Sequence, residues 1–358
     1  MENRYQPFAG KAETKVKHLP YLMILFLTTP EITLAADELA QLRISATKTD
    51  VLDERLLVSL PEQAKLRPMQ RGIMSAPESK SEQTRIVIDA GQQRMVLMVY
   101  ELFARAGTDL EGPAQKMTSH FPVKVSVQKW TLLAPLRAVA YFPTAPTKNE
   151  EANFVMGLFV AGSDGSVQNF MWYVNPAAAS QFDAALKLAK SMADTIAPGT
   201  RTFDTPGGER ELSAYSKTKS VFVKIPRDYV VTAQRGPDFI VHHINKVVAF
   251  GDQNASVGVY LGDHPANNHD GFTEQEKTTL FGKSVRWYQK VGNEGGTKVI
   301  TVDATVPLGR SLLGNSLPGT SEGASYADVF LTAADAPSIE ELKSIAIALR
   351  IRDRIGQR

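Results

Sequence analysis

The amino-acid sequence predicts an α+β protein with two tandem domains, each a mostly antiparallel twisted sheet with a closing C-terminal helix. Three observations support this fold class: two strand patterns that end at a proline, a hairpin signal, and two amphipathic segments. The strand patterns end at Pro61 and at Pro226, as expected for strands that stop at a turn. Since the order of patterns is similar in both halves, we expect an internal duplication. The alternative is a coincidence among common strand patterns.

The first 36 residues have the pattern of a secretory signal peptide. Basic residues between Arg4 and Lys17 precede the apolar run Leu19–Leu27, and small residues follow at Ala35 and Ala36. The run is far shorter than the roughly 20 apolar residues that a transmembrane helix requires. We therefore expect a signal peptide over residues 1–36, a periplasmic or secreted protein, and no transmembrane segment after signal removal. The alternative is a cytoplasmic protein whose N-terminus belongs to the fold.

The first domain is predicted over residues 45–198. Within it, Asp164 and Gly165 lie between two alternating apolar runs, which is the pattern of a β-hairpin turn. Apolar residues then recur at helical spacing from Phe182 to Ile196. This spacing predicts the helix that closes the first domain.

A segment rich in Pro, Gly and Thr at residues 199–211 is predicted to be a linker, and residues 212–358 the second, repeat-like domain. Residues Ser338–Glu341 have the sequence SIEE, which predicts a capping box at the start of the second closing helix. Trp130 and Trp287 each follow a strand tyrosine by about 30 residues, so we expect them at equivalent places, packed beneath the helices.

The stretches LLVSLP and VFVKIP, together with the closing helices, resemble the PsbP/Mog1-like α/β sandwich superfamily. That resemblance implies a first strand that ends at a proline, an antiparallel sheet and a C-terminal helix. A two-domain exported chain of this kind also resembles the periplasmic immunity proteins that neutralise type VI secretion lipase effectors. Such proteins usually contain cysteines or a lipid anchor site, whereas this chain has no cysteine. The resemblance implies binding rather than catalysis, and no functional residue can be transferred from it.

Composition excludes several classes of function. The 358 residues include 40 Lys and Arg against 38 Asp and Glu, so the formal charge is only +2. No basic cluster alternates with aromatic residues, and we therefore expect no nucleic-acid partner. The absence of cysteine removes disulfides, thiol nucleophiles and cysteine metal sites.

The chemically richest stretch is GDHPANNHDGF, at Gly262–Phe272. Its side chains Asp263, His264, His269 and Asp270 are suitable ligands for zinc. Their spacing is that of a loop without fixed geometry. The alternative is a solvated polar connection in which Asn and Asp stabilise turns.

Two observations limit this candidate metal site. In an EF-hand register the twelfth position would be a lysine, so a calcium loop of that kind is excluded. His242 and His243 precede the stretch on a predicted strand, where neighbouring side chains point to opposite faces. At most one of these two histidines could therefore join the site.

No set of catalytic residues is recognisable. The chain lacks G-x-S-x-G, H-E-x-x-H and G-x-G-x-x-G, and KTTLFGKS lacks the first glycine of a phosphate-binding loop. We therefore expect an exported, non-enzymatic binding or inhibitor-type protein, without cofactor, whose partner is another protein. The alternative is a metal-dependent enzyme or metal-binding protein that uses the loop from His264 to Asp270.

Overall fold

The structure is a computed structural model, and it describes residues 38–66, 83–91, 93–121, 123–144, 152–175, 181–212, 219–235, 239–265, 269–294, 297–308 and 326–353. The predicted signal peptide, residues 1–36, lies outside these ranges. In the described ranges, no helix is both long and apolar enough to cross a membrane.

Strands are the main elements of both halves. In chain order, the first half contains β1 (Ile44–Val51), β2 (Leu56–Pro61), β3 (Ala64–Leu66), β4 (Gln83–Ala90), β5 (Gln93–Arg105), α1 (Glu111–Thr118), β6 (Val125–Trp130), β7 (Arg137–Pro143), β8 (Asn153–Ala161), β9 (Ser166–Val174), α2 (Phe182–Ala193) and β10 (Ala197–Pro198). The second half contains β11 (Gly208–Leu212), β12 (Lys219–Ile225), β13 (Tyr229–Arg235), β14 (Phe239–Lys246), β15 (Val248–Ala249), β16 (Ser256–Gly262), β17 (Thr273–Leu280), β18 (Lys283–Glu294), β19 (Thr297–Pro307), β20 (Tyr326–Ala333), α3 (Ala336–Ile347) and β21 (Arg350–Asp353).

Each half forms one large sheet and one small sheet with the same order of strands. The first sheet has the order β3-β4-β5-β9-β8-β7-β6, and the second sheet has the order β13-β14-β16-β20-β19-β18-β17. The small sheets are β1-β2-β10 and β11-β12-β21. Strands within these sheets pair antiparallel, for example β5 with β9 and β16 with β20. The predicted mostly antiparallel sheets are therefore confirmed.

The predicted closing helices are only partly right. α2 and α3 follow the last strand of their large sheets and pack against them, but each is followed by a further strand. These strands, β10 and β21, pair with β2 and β12 of the small sheets. The extra pairing satisfies backbone groups that would otherwise lack partners beside the helix end. Helices are also scarcer than the α+β prediction implies, with three α-helices in the described part of the chain.

The start of α3 differs from the predicted capping box. Asp335 is the N-cap residue, and its Oδ1 accepts a hydrogen bond from the backbone N–H of Ser338 at 2.8 Å. Pro337 then occupies the first turn, where a missing N–H costs nothing. Ser338 therefore lies inside the helix rather than at its cap.

The two tryptophans do not occupy equivalent strands. Trp130 lies at the end of β6, which corresponds to β17, whereas Trp287 lies on β18. Trp287 is fully buried in the core that includes residues of α3, and Trp130 is partly buried and packs against the core that includes residues of α2. Each tryptophan follows its tyrosine by a similar number of residues. Because the intervening loops differ, the two tryptophans nevertheless lie on strands that do not correspond.

Part of the predicted linker is bound to the first half. The backbone N–H groups of Gly199 and Arg201 donate to carbonyls in the turn between β1 and β2, each at 3.0 Å. β11 begins within the predicted linker range. The boundaries at residues 45–198, 199–211 and 212–358 stay predictions.

One loop of the second half reaches the first sheet. We call residues 248–252 the crossing loop. Its strand β15 pairs in parallel with the end of β5, and the Phe250 N–H donates to the Arg105 carbonyl at 2.8 Å. The Phe250 ring is buried, 5.0 Å from the ring of Phe159 between centroids. The crossing loop therefore contributes a side chain to a core of the first half.

Candidate functional site

Side-chain alternation gives the second sheet two different faces. The inner face packs against α3 through buried residues such as Val257, Val302 and Val329. The opposite face, which we call the outer face, consists of residues at the alternate positions. Those at its centre are Phe239, Val241, His243, Tyr260, Tyr288, Asp303, Thr305, Asp328 and Phe330.

The matching face of the first sheet is covered, whereas the outer face of the second sheet is not covered by a described helix. On the first sheet, a hydrophobic cluster that includes Val96 and Tyr141 packs against Ala114 of α1 and Phe250 of the crossing loop. α3 lies on the inner face of the second sheet, and the aromatic residues of its outer face are only partly buried. The outer face is thus a broad surface that the described residues leave open.

Two aromatic rings of the outer face lie against glycine. A Cβ atom on Gly258 would lie 2.0 Å from Cζ of Phe330, and one on Gly262 would lie 2.2 Å from Oη of Tyr260. Neither position has room for a methyl group unless the ring moves. These glycines therefore let the rings lie flat on the sheet, as a preformed aromatic platform.

Two carboxyl groups lie near the centre of this platform, on neighbouring strands. Asp303 of β19 is 8% exposed and Asp328 of β20 is 5% exposed. We call them the acid pair. The hydroxyl of Thr305 donates to Oδ1 of Asp328 at 3.0 Å. The carboxyl groups of Asp303 and Asp328 are hydrogen-bonded to each other. Oδ1 of Asp303 is buried, and no N–H or hydroxyl group in the described part of the chain donates a hydrogen bond to it.

The acid pair holds a proton near neutral pH. Burial, and then the negative charge of Asp303, raises the pKa of Asp328 to about 8. Burial also raises the pKa of Asp303. Two adjacent carboxyl groups in a poorly solvated place do not ionise together without a cation, because their charges repel.

His269 covers one side of the acid pair. Its Nε2 is 2.9 Å from Oδ2 of Asp303, and its ring stacks on Tyr288 with centroids 3.9 Å apart and planes 14° apart. The ring of Phe272 meets His269 edge-on at 5.8 Å. The imidazole is thus held between a carboxylate and an aromatic face.

The four predicted metal ligands have different surroundings. His269 contacts the acid pair, whereas His264 is exposed and its backbone N–H donates to Oη of Tyr260 at 3.1 Å. Asp270 is exposed and Asp263 is partly buried. Across the described ranges, no group of three or more His, Cys, Asp or Glu is placed to hold a metal ion. The zinc site at these four residues stays a prediction.

The histidine pair on β14 behaves as the strand pattern predicts. His243 lies on the outer face beside Phe330, with ring centroids 6.0 Å apart, while His242 is 1% exposed on the other face. Burial lowers the pKa of His243. Only His243 thus shares a face with the acid pair.

Sequence reasoning missed the acid pair itself. Asp303 interrupts the apolar strand VITVDATVP, and Asp328 interrupts YADVFLTA. A carboxylate in the middle of an apolar strand is costly to bury and is a usable signal. The strand pattern alone does not show that the two strands are neighbours.

A second buried polar cluster lies in the first half. Nη2 of Arg55 is 3.3 Å from Oε2 of Glu101 and 2.6 Å from Oγ of Ser166, and Gln168 donates to Glu101 at 3.1 Å. Burial raises the pKa of Glu101 to about 7, although the charge of Arg55 opposes this. The Arg55 guanidinium also lies 5.0 Å from the ring centroid of Phe203. This cluster attaches the predicted linker to the first sheet, and we assign it a structural role.

Comparison with known proteins shows only distant similarity. No family model matches the chain, and no curated protein matches it. Among solved structures, it is similar to the apo immunity protein TplEi of T6SS from Pseudomonas aeruginosa, with 10% identity over 85% of this chain and 96% of that chain and a TM-score of 0.22. The same protein in complex with an "L" peptide has 10% identity over the same shares and a TM-score of 0.20. The Tle4–Tli4 complex has 9% identity over 85% and 96% of the two chains and a TM-score of 0.21.

Superpositions with such TM-scores do not establish a common fold. The resemblance to the PsbP/Mog1 superfamily finds no support in these comparisons.

Proposed function

We propose that this is an exported, non-enzymatic protein that binds another protein through the outer face of the second sheet. The observation that supports the proposal is the contrast between two sheets of the same strand order. Within the described ranges, one sheet has both faces covered, and the other leaves an aromatic platform with a buried acid pair only partly covered. An immunity-like, periplasmic role is the narrower form of the proposal, and it depends on the signal peptide pattern and on the resemblance stated from the sequence.

The shape and chemistry of the outer face favour a protein partner. The platform is a broad sheet surface, whereas small ligands are usually held in concave clefts. Aromatic residues are enriched at the centres of protein interfaces, and charged groups there are few and specifically paired. The outer face has this composition, with Tyr260, Tyr288 and Phe330 around the acid pair.

Capture experiments with a matched pair of variants test this proposal. The tagged full chain would be used to capture partners from periplasmic extract, in parallel with Phe330→Ser on the outer face and Leu133→Ser elsewhere. Leu133 is 63% exposed in the first half, so its change controls for a lost surface hydrophobe. We expect Phe330→Ser to reduce capture of the partner at least tenfold, as for a central interface aromatic, while Leu133→Ser retains it.

Two further measurements keep this test decisive. Near-ultraviolet circular dichroism shows whether Phe330→Ser is folded, and Tyr288→Ala replaces it if it is not. Hydrogen exchange of the complex should show protection on β16, β19 and β20. Equal capture by the Phe330 and Leu133 variants, or turnover of a substrate by the purified protein alone, would contradict the proposal.

A metal-dependent function is the second candidate. It is favoured by one observation, the contact of His269 with the buried carboxylate of Asp303, because zinc-binding histidines commonly lie beside carboxylates. Elemental analysis of the purified protein and thermal unfolding with and without chelator would test it. A metal-free protein with the same Tm in chelator would exclude this function.

A further inference from the structure

We propose that the acid pair receives an arginine side chain of the partner protein, in the place that the His269 ring now occupies. This inference rests on the proposed function, because it assigns the chemistry that the outer face recognises. Under this proposal His269 is an internal substitute for the guanidinium group of the partner.

The acid pair, with one proton between its two carboxyl groups, has a net negative charge and buried acceptor oxygens that a cation can pair with. The Asp303 side chain is 11% exposed, and its Oδ1 receives no hydrogen bond from an N–H or hydroxyl group of the described residues. The carboxyl group of Asp328 is a donor to Asp303 only while it holds the proton of the acid pair. A buried acceptor without an N–H or hydroxyl donor favours a ligand that supplies one. A guanidinium group has five N–H donors and can satisfy such an oxygen while it pairs with its neighbour.

Two described cations of the outer face have other partners. Arg286 pairs with Glu274 on β17, and the ammonium group of Lys290 lies 5.7 Å from the ring centroid of Phe272. The Thr305 hydroxyl is the neutral donor to Asp328. None of these contacts brings a permanent positive charge to the acid pair, so charge complementarity favours a cation from outside.

The contacts of His269 show which cation fits. Its flat ring stacks on Tyr288 at 3.9 Å and its nitrogen meets Asp303 at 2.9 Å. A guanidinium group is also planar, stacks on aromatic rings and bonds carboxylates through its edge. The ammonium group of lysine is a point charge that is more strongly hydrated and has no face to stack. The geometry therefore favours arginine.

The access to the pair depends on His269. The Nε2 atom of His269 is hydrogen-bonded to Oδ2 of Asp303 at 2.9 Å, and the His269 side chain is 23% exposed, against 11% for that of Asp303. An incoming guanidinium would have to displace it. Removal of the imidazole should therefore strengthen binding of arginine, whereas removal of the carboxylate should weaken it.

A nuclear magnetic resonance titration of the full chain with N-acetyl-arginine amide tests the inference without the natural partner. We expect saturable shifts of the Tyr288 ring signals, affinity at least threefold higher in His269→Ala, and affinity at least tenfold lower in Asp303→Asn. The neutral citrulline analogue of the probe should not bind. His120→Ala and Asp252→Asn, at exposed positions outside the outer face, serve as matched controls and should leave the affinity unchanged.

The outcomes separate this inference from the proposed function. If Asp303→Asn does not fold, as judged by near-ultraviolet circular dichroism, Asp328→Asn takes its place with the same expected loss. Equal binding of the citrulline analogue, weaker binding by His269→Ala, or no binding of the arginine probe would overturn the arginine inference. If one of those outcomes occurs but Phe330→Ser still loses capture of the partner, the arginine inference is wrong and the proposed function is retained. Retained capture by Phe330→Ser would instead remove the proposed function.

Discussion

Buried carboxyl groups at single positions show how far burial can outweigh a nearby opposite charge. Glu101 lies 3.3 Å from the Arg55 guanidinium, yet burial still raises its pKa to about 7. Taking a carboxylate out of water costs more than one imperfect ion pair returns. A charge pair of this kind therefore makes stability depend on pH in a specific direction.

Glu101→Gln should remove a decrease in stability between mildly acidic and neutral pH. The folded pKa of Glu101 is raised above its unfolded value of about 4.5, so the folded state binds the proton more tightly and loses stability as pH rises toward 7. The wild type should lose roughly 3 kcal/mol relative to Glu101→Gln from pH 4.5 to 7.5. Urea unfolding of both proteins across this range measures the difference. A difference that grows in favour of the wild type as pH rises would contradict the assignment.

Some residues of the site could be predicted from the sequence and others could not. His269 belongs to a stretch dense in polar side chains, so composition alone pointed to it. Asp303 and Asp328 are 25 residues apart in the chain and become neighbours only because β19 pairs with β20. Such a pairing is a property of the sheet topology, and a local pattern does not contain it.

Helices and turns could be predicted from the sequence where residues close together in the chain determine them. The hairpin of β8 and β9 turns at Asp164 and Gly165 as expected, with Gly165 at a φ of +77° that suits glycine. The helical spacing likewise located α2 and α3. The start of α3 was misplaced by three residues, because Asp335 and Ser338 are both suitable caps and Pro337 decides between them.

Asp335→Ala should destabilise α3 at its first turn. It removes the acceptor for the Ser338 N–H, which then has no partner in the helix. We expect a Tm lower by a few degrees, and Asp335→Ser should restore most of it because serine also caps helices. Thermal unfolding followed by circular dichroism measures both. Equal Tm values for the alanine variant and the wild type would show that the cap at Asp335 does not contribute.

At the scale of the whole molecule, the two halves share an order of strands. They differ in what covers the outer face of the second sheet and the matching face of the first sheet. The first sheet has α1 and the crossing loop, and the second has the loop with His264 and His269 at the corresponding place before β17. The repeated order was visible in the sequence as two proline-ended strands. The contact of the crossing loop with the first half was not visible in the sequence, because β15 is only two residues long and gives no recognisable strand pattern.

Phe250→Ala should destabilise the first half although the residue belongs to the second. The ring is 4% exposed and packs on Phe159, so its removal leaves a cavity in the first core. Truncation of a buried phenylalanine costs about 3–5 kcal/mol. Urea unfolding monitored by hydrogen exchange on β8 and β9 would detect the loss, with Val291→Ala, at a 54% exposed site, as the control. Identical protection in the two variants would show that the ring is not part of that core.

The crossing loop also sets an order of events during synthesis. Phe250 emerges from the ribosome after all of the first sheet and after β14, but before β16. Since domains generally fold from the N-terminus as the chain is made, the first half must stay incomplete until this ring arrives. The aromatic residues of the first half that pack around Phe250, among them Tyr141 and Phe159, are then exposed while the strands that carry them already pair. The interval between Val174 and Phe250 is therefore the stage of synthesis at which the first half, with its sheet already made, still lacks one of its core side chains.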